Sequence, residues 1–189
     1  MIDLRDLTDD DCERLFRWRQ EREVDRWMSD LPLQAYADHV YWFDEFRKDP
    51  DRAGRIITEN GEPAGFLTLT GLLGRHRRAA WGWYIGEAAA RGRGAGRAAQ
   101  ALGLDLAFNL LGLEKVWAEV LADNGAALKA QAAAGFRREG YLREHVIKDG
   151  RRQDVVLLAI LAPEWRERRA GVRRSLEASG LIAPEAVVS

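Results

Sequence analysis

The stretch Ile85–Leu102, IGEAAARGRGAGRAAQAL, decides how the rest of the chain is read. Its alanines favour helix, yet Gly92, Gly94 and Gly96 stand at alternate positions among Arg91, Arg93 and Arg97. Glycine opposes helix by about 1 kcal/mol relative to alanine, so such a cluster marks backbone that bends or is closely approached. The arginines predict that an anion does the approaching. Two phosphate devices fail on spacing. A dinucleotide fingerprint needs glycine where Arg97 stands and an acidic residue about twenty positions later, and a P-loop needs Gly-Lys-Ser/Thr where the chain has Gly96-Arg97-Ala98. Two alternatives remain. One is a strand-turn-helix whose amides, from about Arg93 to Arg97, hold a pyrophosphate with the positive end of the helix dipole behind them; the other is a glycine-rich connection with solvated arginines.

The surrounding composition suits one mixed domain. The chain has 189 residues, 47% of them apolar, with a net charge of -1, so any anion site is local and no global field favours nucleic acid or a membrane surface. Cys12 is the only cysteine, which excludes an internal disulfide and a cysteine metal cluster and fits a reducing cytoplasm. The acidic start MIDLRDLTDDDCE is unlike a signal peptide, and the longest apolar run, VVLLAILA, is too short to span a bilayer, so a cytoplasmic protein is expected.

Working outward, MIDLRDL alternates like a strand, and Thr8 before three aspartates predicts an N-cap and a helix from about Asp9 to Glu21, burying Leu15, Phe16 and Trp18. Tyr36, Val40, Phe43 and Phe46 predict a second amphipathic helix that stops before Pro50. Asn60-Gly61 sits between two apolar runs as a hairpin turn, and RAAWGWYIG is a further strand. The opening stretch then leads into a helix from about Gly94 to Leu111. KVWAEVLA is a strand, NGAALKAQAAAG a short helix closed by Gly135, and two final strands meet at Asp149-Gly150. The C-terminal remainder starts helical and ends as a tail. Such an order predicts an α/β domain.

At this point the residues resemble a family. Arg91-x-x-Gly94-x-Gly96 matches the acyl-CoA-binding signature of the GNAT N-acetyltransferase superfamily, and WGWYIG, VWAEVLADN and NGAALKAQAAAGF follow in that family's order. The resemblance implies the GNAT acyl-CoA N-acyltransferase fold: a mixed, largely antiparallel sheet of about seven strands flanked by about four helices. It covers residues 1–165 as a single domain, with 166–189 a C-terminal helical extension and tail. Within the superfamily, LFRWRQEREVDRWM, HVYWF and GFRREGYLREHVIKDGRRQDVVLLAI look like the branch of the pseudaminic acid biosynthesis N-acetyltransferase.

The resemblance implies transfer of acetyl from acetyl-CoA, as co-substrate and with no metal, to a primary amine. The expected acceptor is the 4-amino group of a UDP-linked amino-dideoxy sugar. Acetylation of a protein N-terminus or another small amine, and a non-catalytic acetyl-CoA-binding module, are the alternatives. A monomer or homodimer without nucleic-acid or membrane partners is expected. The thioester would lie along Trp83, Tyr84 and Ile85, where a bulge splays the strand from its neighbour and a backbone amide meets the oxyanion. The pyrophosphate would sit on Arg91, Gly92, Arg93, Gly94, Ala95, Gly96 and Arg97, and Asn124 would contact the pantetheine arm. Glu119, a charge inside an apolar strand, is the candidate general base. Gln131 occupies the place of the tyrosine that protonates the leaving sulfur in many members, with Tyr84 or water a possible substitute. Trp27, Met28, His39 and Trp42 on the inserted helices are candidate acceptor contacts. His145 reads as a strand-face histidine.

Overall fold

The computed structural model describes residues 1–30, 32 and 34–185. In chain order the elements are β1 (Ile2–Arg5), α1 (Asp11–Gln20), α2 (Arg22–Asp25), α3 (Tyr36–Lys48), β2 (Arg52–Glu59), β3 (Glu62–Thr70), β4 (Arg78–Ile85), α4 (Ala95–Asp105), β5 (Lys115–Leu121), α5 (Gly125–Ala134), β6 (Arg137–Lys148), β7 (Arg151–Leu161) and α6 (Ala162–Ala178). The strands form one seven-stranded sheet in the order β1-β2-β3-β4-β5-β7-β6. Every neighbouring pair is antiparallel except β4 and β5. This is the expected GNAT fold, with six helices among the described residues rather than about four.

Strand alternation divides the core between the two faces of the sheet. On one face Leu67, Leu69, Trp81, Val116 and Ala118 pack with the alanine-rich α4 and with Trp165 and Leu176 of α6. On the other, Ile56 and Phe66 pack with Leu15 and Trp18 of α1 and Phe43 and Phe46 of α3. The helix expected to end near Leu111 runs as α4 and widens into a π turn over Leu106–Leu110. Asn60 and Gly61 (φ 54° and 86°) and Asp149 and Gly150 (φ 51° and 72°) form the predicted hairpin turns. Asn124 caps α5 through a bond from the Ala127 amide to its Oδ1 at 3.0 Å.

Several local expectations differ. Thr8 does not cap α1; its amide and hydroxyl donate to Asp11, 2.8 and 3.0 Å away, and Asp11 also binds Arg5 and Arg14. That buried carboxylate outcompetes the threonine for the helix start, and the surrounding donors hold its pKa below the usual carboxylate range despite burial, which acts to raise it. The buried stripe of α3 is His39, Phe43 and Phe46, while Tyr36 and Val40 are exposed. The segment expected as an extension packs on the domain: Leu176 and Ile182 are buried in the main cluster with Trp165, which ends the expected domain, and the Ile2 amide donates to the Leu181 carbonyl at 2.6 Å. Residues 186–189 of the expected tail lie outside the described residues. No helix among the described residues is long and apolar enough to cross a membrane.

Candidate active site

The site begins where the sheet comes apart. β4 and β5 pair only from Arg78–Lys115 to Ala80–Trp117, and then separate. The expected bulge in β4 is absent: its pairing with β3 runs without a shift from Thr70–Ala80 to Gly65–Ile85. The splay therefore comes from the ending of the parallel pairing. It opens a cleft of about 600 Å³ whose walls include Trp83, Tyr84, Ile85, Glu119, Asn124 and Gln131.

One end of the cleft is the glycine-arginine turn. Arg91, Gly92, Gly94, Gly96 and Arg97, all candidates for the pyrophosphate, line it. Gly94, at φ 92°, is the N-cap of α4, a backbone conformation that costs a residue with a Cβ. The bond from the Ala98 amide to the Gly94 carbonyl opens the helix, leaving the amides of 95–97 without intrahelical acceptors. A Cβ on Gly96 would stand 2.9 Å from the Trp83 ring, so glycine there lets the indole close over the helix start. One expected contact points elsewhere: the Arg93 guanidinium pairs with Glu59 at 2.6 Å, whereas Ala95 buries its methyl group in the core and keeps its amide free. Arg91 is a brace: its guanidinium donates to the Ile85 carbonyl at 2.9 Å, to the Gly86 carbonyl and to Glu21 at 3.0 Å. The signature arginine thus holds the turn to the end of β4 and to the exit of α1.

A second cavity, of about 300 Å³, lies on the opposite face of β4, walled by α1, α3 and the residues Met28, Asp30 and Pro32. Gly82, Trp83, Tyr84 and Met28 line both cavities, so β4 is their common wall. Of the candidate acceptor contacts, Met28, His39 and Trp42 line this cavity, whereas Trp27 lines the cleft, with Arg26 over its ring at 4.5 Å. The His39 Nε2–H donates to the Cys12 carbonyl at 2.9 Å, and burial pushes the pKa of the ring down. Tyr84 packs edge-on against Trp18 and lies beside Phe66, and burial holds its hydroxyl pKa well above the usual phenol range. A tyrosine so disposed keeps its proton and is a poor acid.

Glu119 alternates with Ala118 and Val120, which face the α4 core, so its exposed side chain leaves that core; it lines the cleft and not the second cavity. Gln131 is 4% exposed, and its Oε1 is buried with no partner in the protein. A buried amide oxygen left this way calls for a ligand donor. His145 is exposed on β6 and belongs to neither cavity. Sequence reasoning missed Arg19, Asp30 and Thr68, whereas Gly82 is legible as a glycine in a strand suited to close backbone approach. A signal existed only for Thr68, a hydroxyl between Leu67 and Leu69 of a strand whose other residues are mostly apolar.

Comparison with known proteins bears on this geometry. Residues 2–137 match the family described as the acetyltransferase (GNAT) domain. The uncharacterized N-acetyltransferase YoaA of Bacillus subtilis is 27% identical over 165 residues, covering 85% of this chain and 93% of its own. The spermidine N(1)-acetyltransferase of Escherichia coli K12 is 24% identical over 164 residues, covering 87% and 88%. Among solved structures, spermidine N-acetyltransferase from Vibrio cholerae in complex with CoA and spermine superposes with a TM-score of 0.82 at 23% identity, covering 87% of this chain and 98% of that one. These relatives do not support the narrower likeness to the pseudaminic acid branch: they are spermidine enzymes and a protein of undefined acceptor.

Proposed function

The chain belongs to the GNAT acetyltransferase family, and from that premise we propose that it acetylates a small-molecule primary amine by direct attack on acetyl-CoA across the β4 wall. It is an acetyl-CoA-dependent N-acetyltransferase; the arrangement of the reaction is the proposal. The observation that carries it is the shared wall of Gly82, Trp83 and Tyr84, with the cleft on one side and the second cavity on the other. Acetyl-CoA lies in the cleft, its pyrophosphate on the free amides of 95–97 and its thioester along Trp83–Ile85. The amine enters from the second cavity.

In the reaction the amine lone pair attacks the thioester carbonyl carbon, the C–S bond breaks, and the electron pair leaves on sulfur. The products are the N-acetylamine and free CoA thiol. Glu119 receives the proton the amine loses, directly or through water. Gln131 cannot release a proton, and its contribution is a hydrogen bond to the cofactor arm. A thiol pKa of about 8.5 makes the thiolate a tolerable leaving group without an acid.

Spermidine, the acceptor of two relatives, is a second candidate on the strength of those names alone. The UDP-linked amino sugar has weaker support, because Arg19 is the one cationic side chain of the second cavity among the described residues and it is already matched by carboxylates. Purified protein, acetyl-CoA and a panel of primary amines, followed by free-thiol release, test the proposal. Acceptor-dependent thiol is expected. Its absence across small amines, with turnover of a peptide N-terminus, would move the activity to protein acetylation.

A further inference from the structure

We infer that the acceptor is a monoamine with a flat aromatic body, an arylalkylamine, rather than a polyamine or a nucleotide-linked sugar. The inference rests on the N-acetyltransferase proposal above and names its acceptor class. The first observation is charge. Among the described residues, the ionised side chains on the wall of the second cavity are Arg19 and Asp30. Arg19 is 17% exposed and lies 3.5 Å from Asp30 and 4.0 Å from Asp25, and Asp25 is in turn 3.3 Å from the buried Lys148. Two cations face two carboxylates. A buried ammonium needs a counter-charge, and the carboxylates beside this cavity are already shared with Arg19 and Lys148, leaving Asp25 Oδ1 as the one carboxylate oxygen among them that is buried without a hydrogen bond, beside a guanidinium that repels further cations. The diphosphate of a nucleotide sugar would meet no unmatched cation.

The second observation is shape. An unbroken series of ring contacts crosses this side of the sheet: Tyr36–Phe16 at 5.2 Å, Phe16–His39 at 5.3 Å, His39–Trp42 at 5.2 Å, Trp42–Phe46 at 5.3 Å, Phe46–Phe66 at 6.0 Å and Phe66–Tyr84 at 6.1 Å. Phe16, His39, Trp42, Phe66 and Tyr84 of this series face the cavity. An aromatic ring entering it finds partners at the spacings that rings prefer.

The third observation is one orphaned atom. Thr68 Oγ1 is buried with no partner in the protein, and Thr68 stands opposite Gly82 in the β3–β4 register, on the common wall. Thr68 lines the second cavity, so its unpartnered hydroxyl belongs to the wall along which an amine would approach a thioester lying at Trp83–Ile85, while its methyl group is the part nearest Gly82. One neutral acceptor suits the N–H of a single neutral amine.

The test compares phenethylamine, butylamine and spermidine as acceptors for the wild-type enzyme with acetyl-CoA. The expected kcat/KM for phenethylamine is at least tenfold above both others. Spermidine equal or better, or butylamine equal, overturns the inference and leaves the transferase proposal standing. So does turnover of some other amine or a peptide with none of phenethylamine. Silence across the whole panel, with acetyl-CoA still raising Tm, overturns both. Thr68→Val and Trp42→Ala, each checked for an unchanged Tm shift with acetyl-CoA, are each expected to lower kcat/KM for phenethylamine about tenfold. Wild-type turnover by both would remove this cavity as the acceptor site.

Discussion

Glu119 is a charge on a strand whose neighbours Ala118 and Val120 are core, and alternation turns it out of that core, on the wall of the cleft. Glu119→Gln keeps the shape and removes the base. Expected is a fall in kcat/KM of about 10²–10⁴, with the acetyl-CoA-induced Tm shift retained; a loss under tenfold would remove Glu119 from proton transfer. The anion turn is tested at Gly92, where φ is 76° and a Cβ would meet nothing within 4 Å, so a substitution reports charge more than packing. Ligand at 100 times its Kd adds about 2.7 kcal/mol of stability. Gly92→Asp should abolish most of that gain, whereas Gly92→Asn, of equal shape and tolerance for left-handed backbone, should keep it. Equal behaviour of the two variants would show that the turn does not hold the pyrophosphate. His39 supplies a pH signature. Burial lowers its pKa from 6.5, so the unfolded chain binds the extra proton first and stability falls as pH drops below about 6.5. His39→Phe should flatten that limb in a Tm-versus-pH series, leaving the later acid loss, below about pH 3.8, that belongs to Asp11.

At the scale of elements, the signature turn is a joint between β4, α1 and α4. Its pattern of glycines and arginines was legible because a helix start with free amides needs small residues and left-handed backbone. The division of labour among the arginines was not. Arg91 braces the end of β4, Arg93 goes to Glu59, and Arg97 donates to Ser175 of α6 at 2.9 Å. Arg91→Ala removes three acceptor contacts and leaves partly buried carbonyls without that donor. The expected cost is about 1–3 kcal/mol, read by denaturant midpoint, together with weaker stabilisation by acetyl-CoA. An unchanged midpoint would show that water replaces the guanidinium and that the brace is incidental. The missing bulge is similar: a cleft was predicted at the right strand, but which pairing ended was decided by β5 turning away after Trp117.

At the scale of the molecule, the sheet separates two chemistries, a donor cleft and an aromatic cavity, and α6 closes the donor-side core. Leu176 is fully buried there. Leu176→Ala should cost about 2–5 kcal/mol, and a chain ending at Ala178, which loses Leu181 and Ile182, should melt lower than the full chain. Melting temperatures equal to wild type would make residues beyond 165 the dispensable extension that the sequence suggested.

Local pattern by itself determined the order of the strands and of the longer helices, the glycine-arginine turn at the start of α4 and the α5 cap, because each depends on neighbours within a few positions. Only the tertiary structure decided what depends on partners distant in sequence: that Asp11 rather than Thr8 governs the start of α1, that the C-terminal segment is core, and that Arg19 meets Asp25 and Asp30. It also brought Thr68 to lie bare beside Gly82. The cleft proposed for acetyl-CoA is largely written in contiguous motifs because the turn, β4, β5 and α5 that line it follow one another in the chain. The acceptor side is assembled from α1, α3, β3 and β4, and its charge balance and ring series exist only once those elements have packed.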